Sequence, residues 1–418
     1  MCGYPFYPKS TVKQRRTRCR VLLLSLALMV TCCVNQATAA DSTLMAQLHR
    51  WVDRGGVMLN DESGHTLLAY NADLILIPAS IIKIYTAMAA LEILGEQFVF
   101  KTGFYRDADG NLGIKGWGDP QLISEEIHSI ADKLKVLGVR KIRQIQLDQT
   151  AFDPSIDING RSNSLNPYDA VNGALVVNFN TLFLGRKKDG TIYSAESITP
   201  LTPLARILGR SLKPGTRDRF NLSTKREYAH RYAGELIGEI LKDHGVTVEQ
   251  SDVGQTVIDD RWSLVIEHHS SVSLREVIRG LLKYSNNFIA NQIYLVTGAE
   301  KKGYPATTSK ARSVFQAYFK QQFNEESGRT IIDEASGISR KNRMSARAMM
   351  AVLERFRPWA DLLDHKKGAW VKSGTLTGVY NYAGYIKTAD GYQPFVILLN
   401  QQKNMRDRVL KQLIQYSH

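Results

Sequence analysis

Residues 77–94 read IPASIIKIYTAMAALEIL. Pro78 stands where the start of a helix tolerates proline, Gly95 ends the run, and Lys83 and Glu92 are the only charges in it. Ala87, Ala89 and Ala90 keep the helix slim. A slim helix that is apolar on nearly every side has to be enclosed by other elements. Two groups of strands are available to enclose it. VMLN, DESGH and TLLAYNADLILI precede it as strand, turn and strand, and AWVKSGTLTG, YNYAGYIKTADG and YQPFVILLN close the chain as a meander. The simplest assembly is one five-stranded antiparallel sheet with helices on both faces, an α+β architecture. Residues 42–53 and the closing segment Met405–Tyr416 read as helices, the latter as packing for this body.

Between the two halves the texture changes. Residues 96–225 contain a hairpin with Asp109-Gly110 at or near its turn. They also contain the amphipathic helix ISEEIHSIADKLKVLGV, the strand IRQIQLDQTAF and a strand signal in GALVVNFNTLFLG, with Asn-, Ser- and Gly-rich loops between them. This stretch reads as an inserted domain. The expected organisation is therefore 1–39 as a leader, 40–95 and 226–418 as the two parts of one domain, and 96–225 as the insertion.

The leader is read from its pattern. Lys9, Lys13, Arg15, Arg16, Arg18 and Arg20 precede the apolar run VLLLSLALMV, and Ala37-Thr38-Ala39 follows as a small-residue cleavage site. The run is short for a membrane span, so ordinary Sec export with cleavage near Ala39 is expected, at most with peripheral membrane association. Loss of the leader lowers the net charge from +14 to +8 and removes all four cysteines. A cysteine-free mature chain suits an oxidising compartment without disulfides. Its scattered positive charge suits an anionic surface, and no nucleic-acid motif accompanies it.

Three polar clusters carry possible chemistry. Ser80 and Lys83 share a helix face at spacing i, i+3. Ser285-Asn286-Asn287 interrupts an apolar run where two helical segments meet. Lys372-Ser373-Gly374 lies on the first strand of the meander. Each alone is also ordinary structure: a helix edge, a helix break, a strand residue. The motifs recur elsewhere as Ser10/Lys13, Ser164-Leu165-Asn166 and Lys101-Thr102-Gly103. Together and in this order, they resemble the three polar elements of penicillin-recognising acyl-transfer enzymes.

The stretches PASIIKIYTAMAAL, GWGDPQL, YDAVNGALVVNFNT, YSNNFIANQI, EASGISRKNRMSA and KSGTLTGVYNYAG extend that likeness from about residue 57 to 402. The chain resembles the D-alanyl-D-alanine carboxypeptidase/endopeptidase family of class C low-molecular-mass penicillin-binding proteins, peptidase family S13. The resemblance implies the serine β-lactamase/DD-peptidase-like fold with a domain inserted between Ser-x-x-Lys and Ser-x-Asn, which fits the 205 residues separating Ser80 from Ser285. It implies Ser80 as nucleophile and Lys83 as its base. Ser285, Asn287 and Lys372 would relay protons and hold substrate, and the backbone N–H groups of Ser80 and Thr375 would form the oxyanion hole. Ser373, Gly374, Thr375, Tyr168 and Arg340 would contact substrate. The implied substrates are peptidoglycan stem peptides ending in D-Ala-D-Ala, or D-amino-acid crosslinks, in the periplasm, with β-lactams as inhibitors and no cofactor.

As a base Lys83 must be neutral, which needs its pKa to fall by roughly 2–3 units, about 3–4 kcal/mol. Burial and repulsion from Lys372 are the available causes. Two departures from the family pattern stand out: Lys-Ser-Gly replaces Lys-Thr-Gly, and Asp333-Glu334-Ala335 precedes Ser336. No His-Glu-x-x-His is present, and His268 and His269 are adjacent and project differently, so no metal is expected. A serine β-lactamase or esterase on the same fold, or a wall-binding protein without turnover, are the alternatives.

Overall fold

The computed structural model describes residues 3, 42–222, 226–324 and 329–417; the leader's basic and apolar stretches and its cleavage site lie outside them. The two strand groups do join in one antiparallel sheet. Its order is 365–366, 369–376, 379–387, 392–399, 55–60, 66–70. The first of these is a two-residue strand, His365–Lys366, which adds a sixth member to the five read from sequence. It pairs only with Ala369 and Trp370, so the rest of the Ala369–Leu376 strand lies along the sheet margin.

Alternation along the strands divides the sheet's faces. Met58, Ala383, Tyr385, Val396 and Leu398 face the largest core cluster. Val57, Leu59, Phe395, Ile397 and Leu399 face a second cluster, shared with Leu44, Leu48, Val409, Leu410 and Leu413 from the helices at either end of the chain. The closing helix therefore packs as expected. The helix Ile82–Leu94 runs through the largest cluster, and every residue from Ile82 to Leu91 is buried. Helices Leu274–Tyr284, Asn287–Lys302 and Ala346–Phe356 surround it.

The excursion after Gly95 builds its own core around a five-stranded sheet ordered 253–255, 145–148, 112–116, 101–106, 263–269. Packing carries it past residue 225, where the sequence reading placed the return. Helix Arg226–Asp243 buries Tyr232, Ala233, Leu236, Ile237, Ile240 and Leu241 in this second core, and Ser263–His269 pairs with Lys101–Arg106. The GALVVNFNTLFLG signal also shortens. Its strand begins at Thr181, because Asn178, Phe179 and Asn180 all take positive φ and turn the chain. Lys101-Thr102-Gly103 lies on this second sheet, away from the helix that carries Ser80.

Candidate active site

Ser80 lies in the 3₁₀ turn Ala79–Ile81 that leads into the buried helix. Ala79 has φ +47°, a left-handed conformation that costs an L-residue free energy and must be enforced from outside. Several contacts enforce it. Asn381 Nδ2 donates to the carbonyls of Ile77 and Pro78 at 2.9 and 2.8 Å, and Asn400 Oδ1 accepts from Ile77 N at 2.8 Å. Two glycines press on the turn. A Cβ on Gly337 would stand 2.0 Å from Ala79 O, and one on Gly374 would stand 2.8 Å from Pro78 O and 3.0 Å from Ser80 N. Only residues without side chains allow both segments this close to the serine.

Lys83 is fully buried. Its Nζ lies 3.0 Å from Ser80 Oγ, 2.8 Å from Asn287 Oδ1 and 2.5 Å from Ser336 O. Two of these partners are carbonyl oxygens, which can only accept; the third is a hydroxyl, which can also donate. A neutral amine satisfies all three by donating to the two carbonyls and accepting from the serine. An ammonium would donate to all three, and the electrostatics favour the neutral form over it. Burial pushes the Lys83 ammonium well below the ordinary lysine range, the charge of Lys372 pushes it further, and Glu334 opposes both.

A second serine–lysine pair stands beside the first. Ser285 ends helix Leu274–Tyr284 at φ +55°, and Asn286 caps the next helix by accepting from Ile289 N at 3.1 Å. The helix break read from Ser-Asn-Asn is thus real, and it turns Ser285 out of both helices. Lys372 Nζ reaches Ser285 Oγ at 2.7 Å and Ser373 O at 3.0 Å. Burial, and then the charge of Lys366, bring the pKa of Lys372 down to about 7. Ser373 and Thr375 are exposed on the margin strand, with Gly374 between them facing the Ser80 turn.

Asn287 bridges the elements, since its Nδ2 donates to Tyr168 O at 3.2 Å while its Oδ1 takes Lys83. Tyr168 is therefore held through its backbone, and its exposed ring hydroxyl accepts from Asn166 Nδ2. Arg340 is exposed and donates to Thr377 O at 2.6 Å, on the turn after the margin strand. A cleft of about 1060 Å³ opens beside Ser285, Asn287 and Tyr168 and continues past Phe179 to Glu196 and Arg219. Among the described residues no group of three His, Cys, Asp or Glu could hold a metal ion, and no helix is long and apolar enough to cross a membrane.

Sequence reasoning missed three residues. Asn381 lies inside KSGTLTGVYNYAG, but nothing in the string says that its amide secures the turn before Ser80. Arg406, at the start of the closing helix, donates to Thr375 Oγ1 at 2.7 Å and stacks on Tyr382, 4.5 Å from the ring centre. Glu334 was visible only as a departure from a pattern. Its buried carboxylate organises the loop that delivers Ser336 O to Lys83.

Comparison with known proteins agrees with this geometry. The chain is 24% identical over 434 residues to the D-alanyl-D-alanine carboxypeptidase DacB of Haemophilus influenzae, covering 86% of this chain and 88% of that one. It is 26% identical over 441 residues to the D-alanyl-D-alanine carboxypeptidase of Actinomadura sp. strain R39, covering 87% and 81%. The crystal structure of penicillin binding protein 4 from H. influenzae superposes with a TM-score of 0.72 at 21% identity, covering 89% of this chain and 98% of that one. The same protein complexed with a β-lactam gives 0.67. A model of the D-Ala-D-Ala carboxypeptidase 3 (S13) family matches residues 41–196 and 213–367, most of the chain. The chain belongs to that family and is a serine peptidase.

Proposed function

We propose that this peptidase cleaves D-alanyl-D-alanine termini or D-amino-acid crosslinks of peptidoglycan stem peptides through an acyl-enzyme on Ser80. The observation that carries this reading is Lys83 Nζ set among Ser80 Oγ, Asn287 Oδ1 and Ser336 O, a set of partners suited to a neutral base. Ser80 Oγ attacks the scissile carbonyl and its proton passes to Lys83. The N–H groups of Ser80 and Thr375 take the oxyanion; such donors are worth about 3–4 kcal/mol each. Gly374's approach to Ser80 N supports this pairing, because it sets Thr375 next to the nucleophile's turn. As the C–N bond breaks, Ser285 relays the proton taken up by Lys83 to the leaving amine, which leaves Lys83 neutral again to accept a proton from the attacking water. Water then hydrolyses the ester. Asn287 orients Lys83 and offers its amide to the substrate. Lys372, with the hydroxyls of Ser373 and Thr375, binds the terminal carboxylate.

A β-lactam acylates Ser80 by the same attack. The cleft beside Ser285 and Tyr168 is larger than a dipeptide needs, which supports a longer peptide lying across Tyr168, and the exposed Arg340, bonded to the turn after the margin strand, is a further candidate contact. The basic leader with its apolar run, and the absence of cysteine from the rest of the chain, support export to the periplasm.

Mass spectrometry of muropeptides after incubation tests the reading. The wild type removes terminal D-Ala or splits crosslinked dimers, and Ser80→Ala does neither. Rapid penicillin turnover with intact muropeptides would transfer the site to a β-lactamase.

A further inference from the structure

Glu334 is a buried carboxylate with no ion-pair partner within salt-bridge distance among the described residues, yet both its oxygens are saturated. Oε1 accepts from Gly337 N at 2.7 Å, Asn342 Nδ2 at 2.8 Å and Ser339 N at 3.2 Å. Oε2 accepts from Ser336 Oγ at 2.6 Å, Ser336 N at 2.7 Å and Asn291 Nδ2 at 3.1 Å. Six donors on one carboxylate compensate its burial, and they fix the backbone around it.

What they fix is the loop that grips the Ser80 helix at three levels. Gly337 lies against Ala79, Ser336 O accepts from Lys83 Nζ, and Ala335 O accepts from Thr86 Oγ1 at 2.8 Å. Asn291 ties the same loop to the helix that carries Asn287, with Ala335 N donating to Asn291 Oδ1 at 3.0 Å. Arg312 and Ser339 Oγ go to the neighbouring Asp333 instead, so the two acids divide the loop between them.

We infer that Glu334 is a positioning residue for the Ser80–Lys83 pair: its carboxylate holds the 335–339 loop so that Ser336 O orients the lysine, and its charge reaches that lysine as well. This rests on Lys83 acting as the base. An ionised carboxylate only accepts hydrogen bonds, and all six neighbours donate. An amide in its place would aim N–H at N–H and loosen the loop. Two charged groups face Lys83, Lys372 from the margin strand and Glu334 from this loop; its own helix contributes none near it. Removing the negative one therefore favours the neutral amine.

The test is the rate of Ser80 acylation by a fluorescent penicillin, followed from pH 5 to 10 in the full chain. E334Q, with wild-type secondary structure by circular dichroism, is expected to lose about tenfold or more of the plateau rate, roughly one charge-assisted hydrogen bond. Its acid limb is expected to move to lower pH. E334D keeps the charge, so its limb stays near wild type while its rate falls between the two. S336A removes one donor and leaves the carboxylate, so it loses rate with no movement of the limb. A folded E334Q with wild-type rate, or with reduced rate and an unmoved limb, overturns the inference, because a purely structural role predicts the latter. If E334Q does not fold, wild-type rates in both E334D and S336A overturn it. Lys83→Met is the separate control: rapid acylation of that variant would sink the base assignment itself.

Discussion

Asn287 Oδ1 lies 2.8 Å from Lys83 Nζ, across the gap between two buried helices. The amide is neutral, so it orients the amine without stabilising its charged form. A carboxylate there would do both. Asn287→Asp, nearly the same shape, places a negative charge in contact with a buried lysine and raises its pKa by about 1–3 units. Acylation at pH 7 is expected to fall about ten- to a thousandfold, tracking the lost fraction of neutral amine, and to recover as pH rises. A pH series of penicillin acylation checks this. A variant equally slow at every pH would show that Asn287 serves the substrate and not the base.

Lys372 gives the opposite limb. With a pKa of about 7 in the free enzyme, it loses its charge as pH rises through neutrality. Binding a substrate carboxylate needs that charge. For a peptide with a free D-Ala carboxylate, kcat/KM is expected to fall above about pH 7, approaching tenfold per pH unit. The same peptide with an amidated end should be a poorer substrate without this descending limb. Steady-state kinetics on the pair decides it. Identical limbs would remove Lys372 from carboxylate recognition.

Gly337 tests the backbone's part. An Ala at φ +83° is strained by about 1 kcal/mol, and its Cβ would overlap Ala79 O, so the loop has to retreat. Gly337→Ala is expected to lose about 2 kcal/mol or more of stability by denaturant titration, with acylation reduced about a hundredfold. Gly280→Ala, where a Cβ meets nothing within 4 Å, serves as the control. Equal behaviour of the two would show that close packing on the Ser80 turn is dispensable.

The parts of this site legible in the sequence are those whose chemistry and order are local. Ser80 and Lys83 sit one helical turn apart. The Ser-Asn-Asn break reads as a break because those side chains compete with helix hydrogen bonds. The apolar helix announces that something encloses it. What stayed hidden depends on contacts between distant segments. Asn381 secures Pro78 across some 300 residues of chain, and no period or motif encodes that. Glu334 looked like a deviation because a pattern shows residue types, while its meaning lies in six donors converging on it. The return of the second body was misplaced at 225 for the same reason. Helix periodicity shows that a face is apolar, not which sheet it covers.

Arg406 carries the last prediction. The closing helix packs through Val409, Leu410 and Leu413, and that was its expected role. Its first residue, however, points at the margin strand, bonding Thr375 Oγ1 at 2.7 Å and lying over Tyr382. This sets the rotamer of the threonine whose hydroxyl would meet the substrate carboxylate, and adds a second positive charge near that carboxylate. The core residues of the helix do not depend on it. Arg406→Ala should therefore leave the melting temperature nearly unchanged. KM for a D-Ala-D-Ala peptide is expected to rise about ten- to a hundredfold, the worth of a hydrogen bond to a charged group. The kcat should change far less, because the Ser80–Lys83 geometry is set elsewhere. Arg406→Lys keeps the charge without the planar fork and should recover part of the loss. A fall in kcat with KM unchanged would instead place Arg406 among the groups that act on the reacting bond.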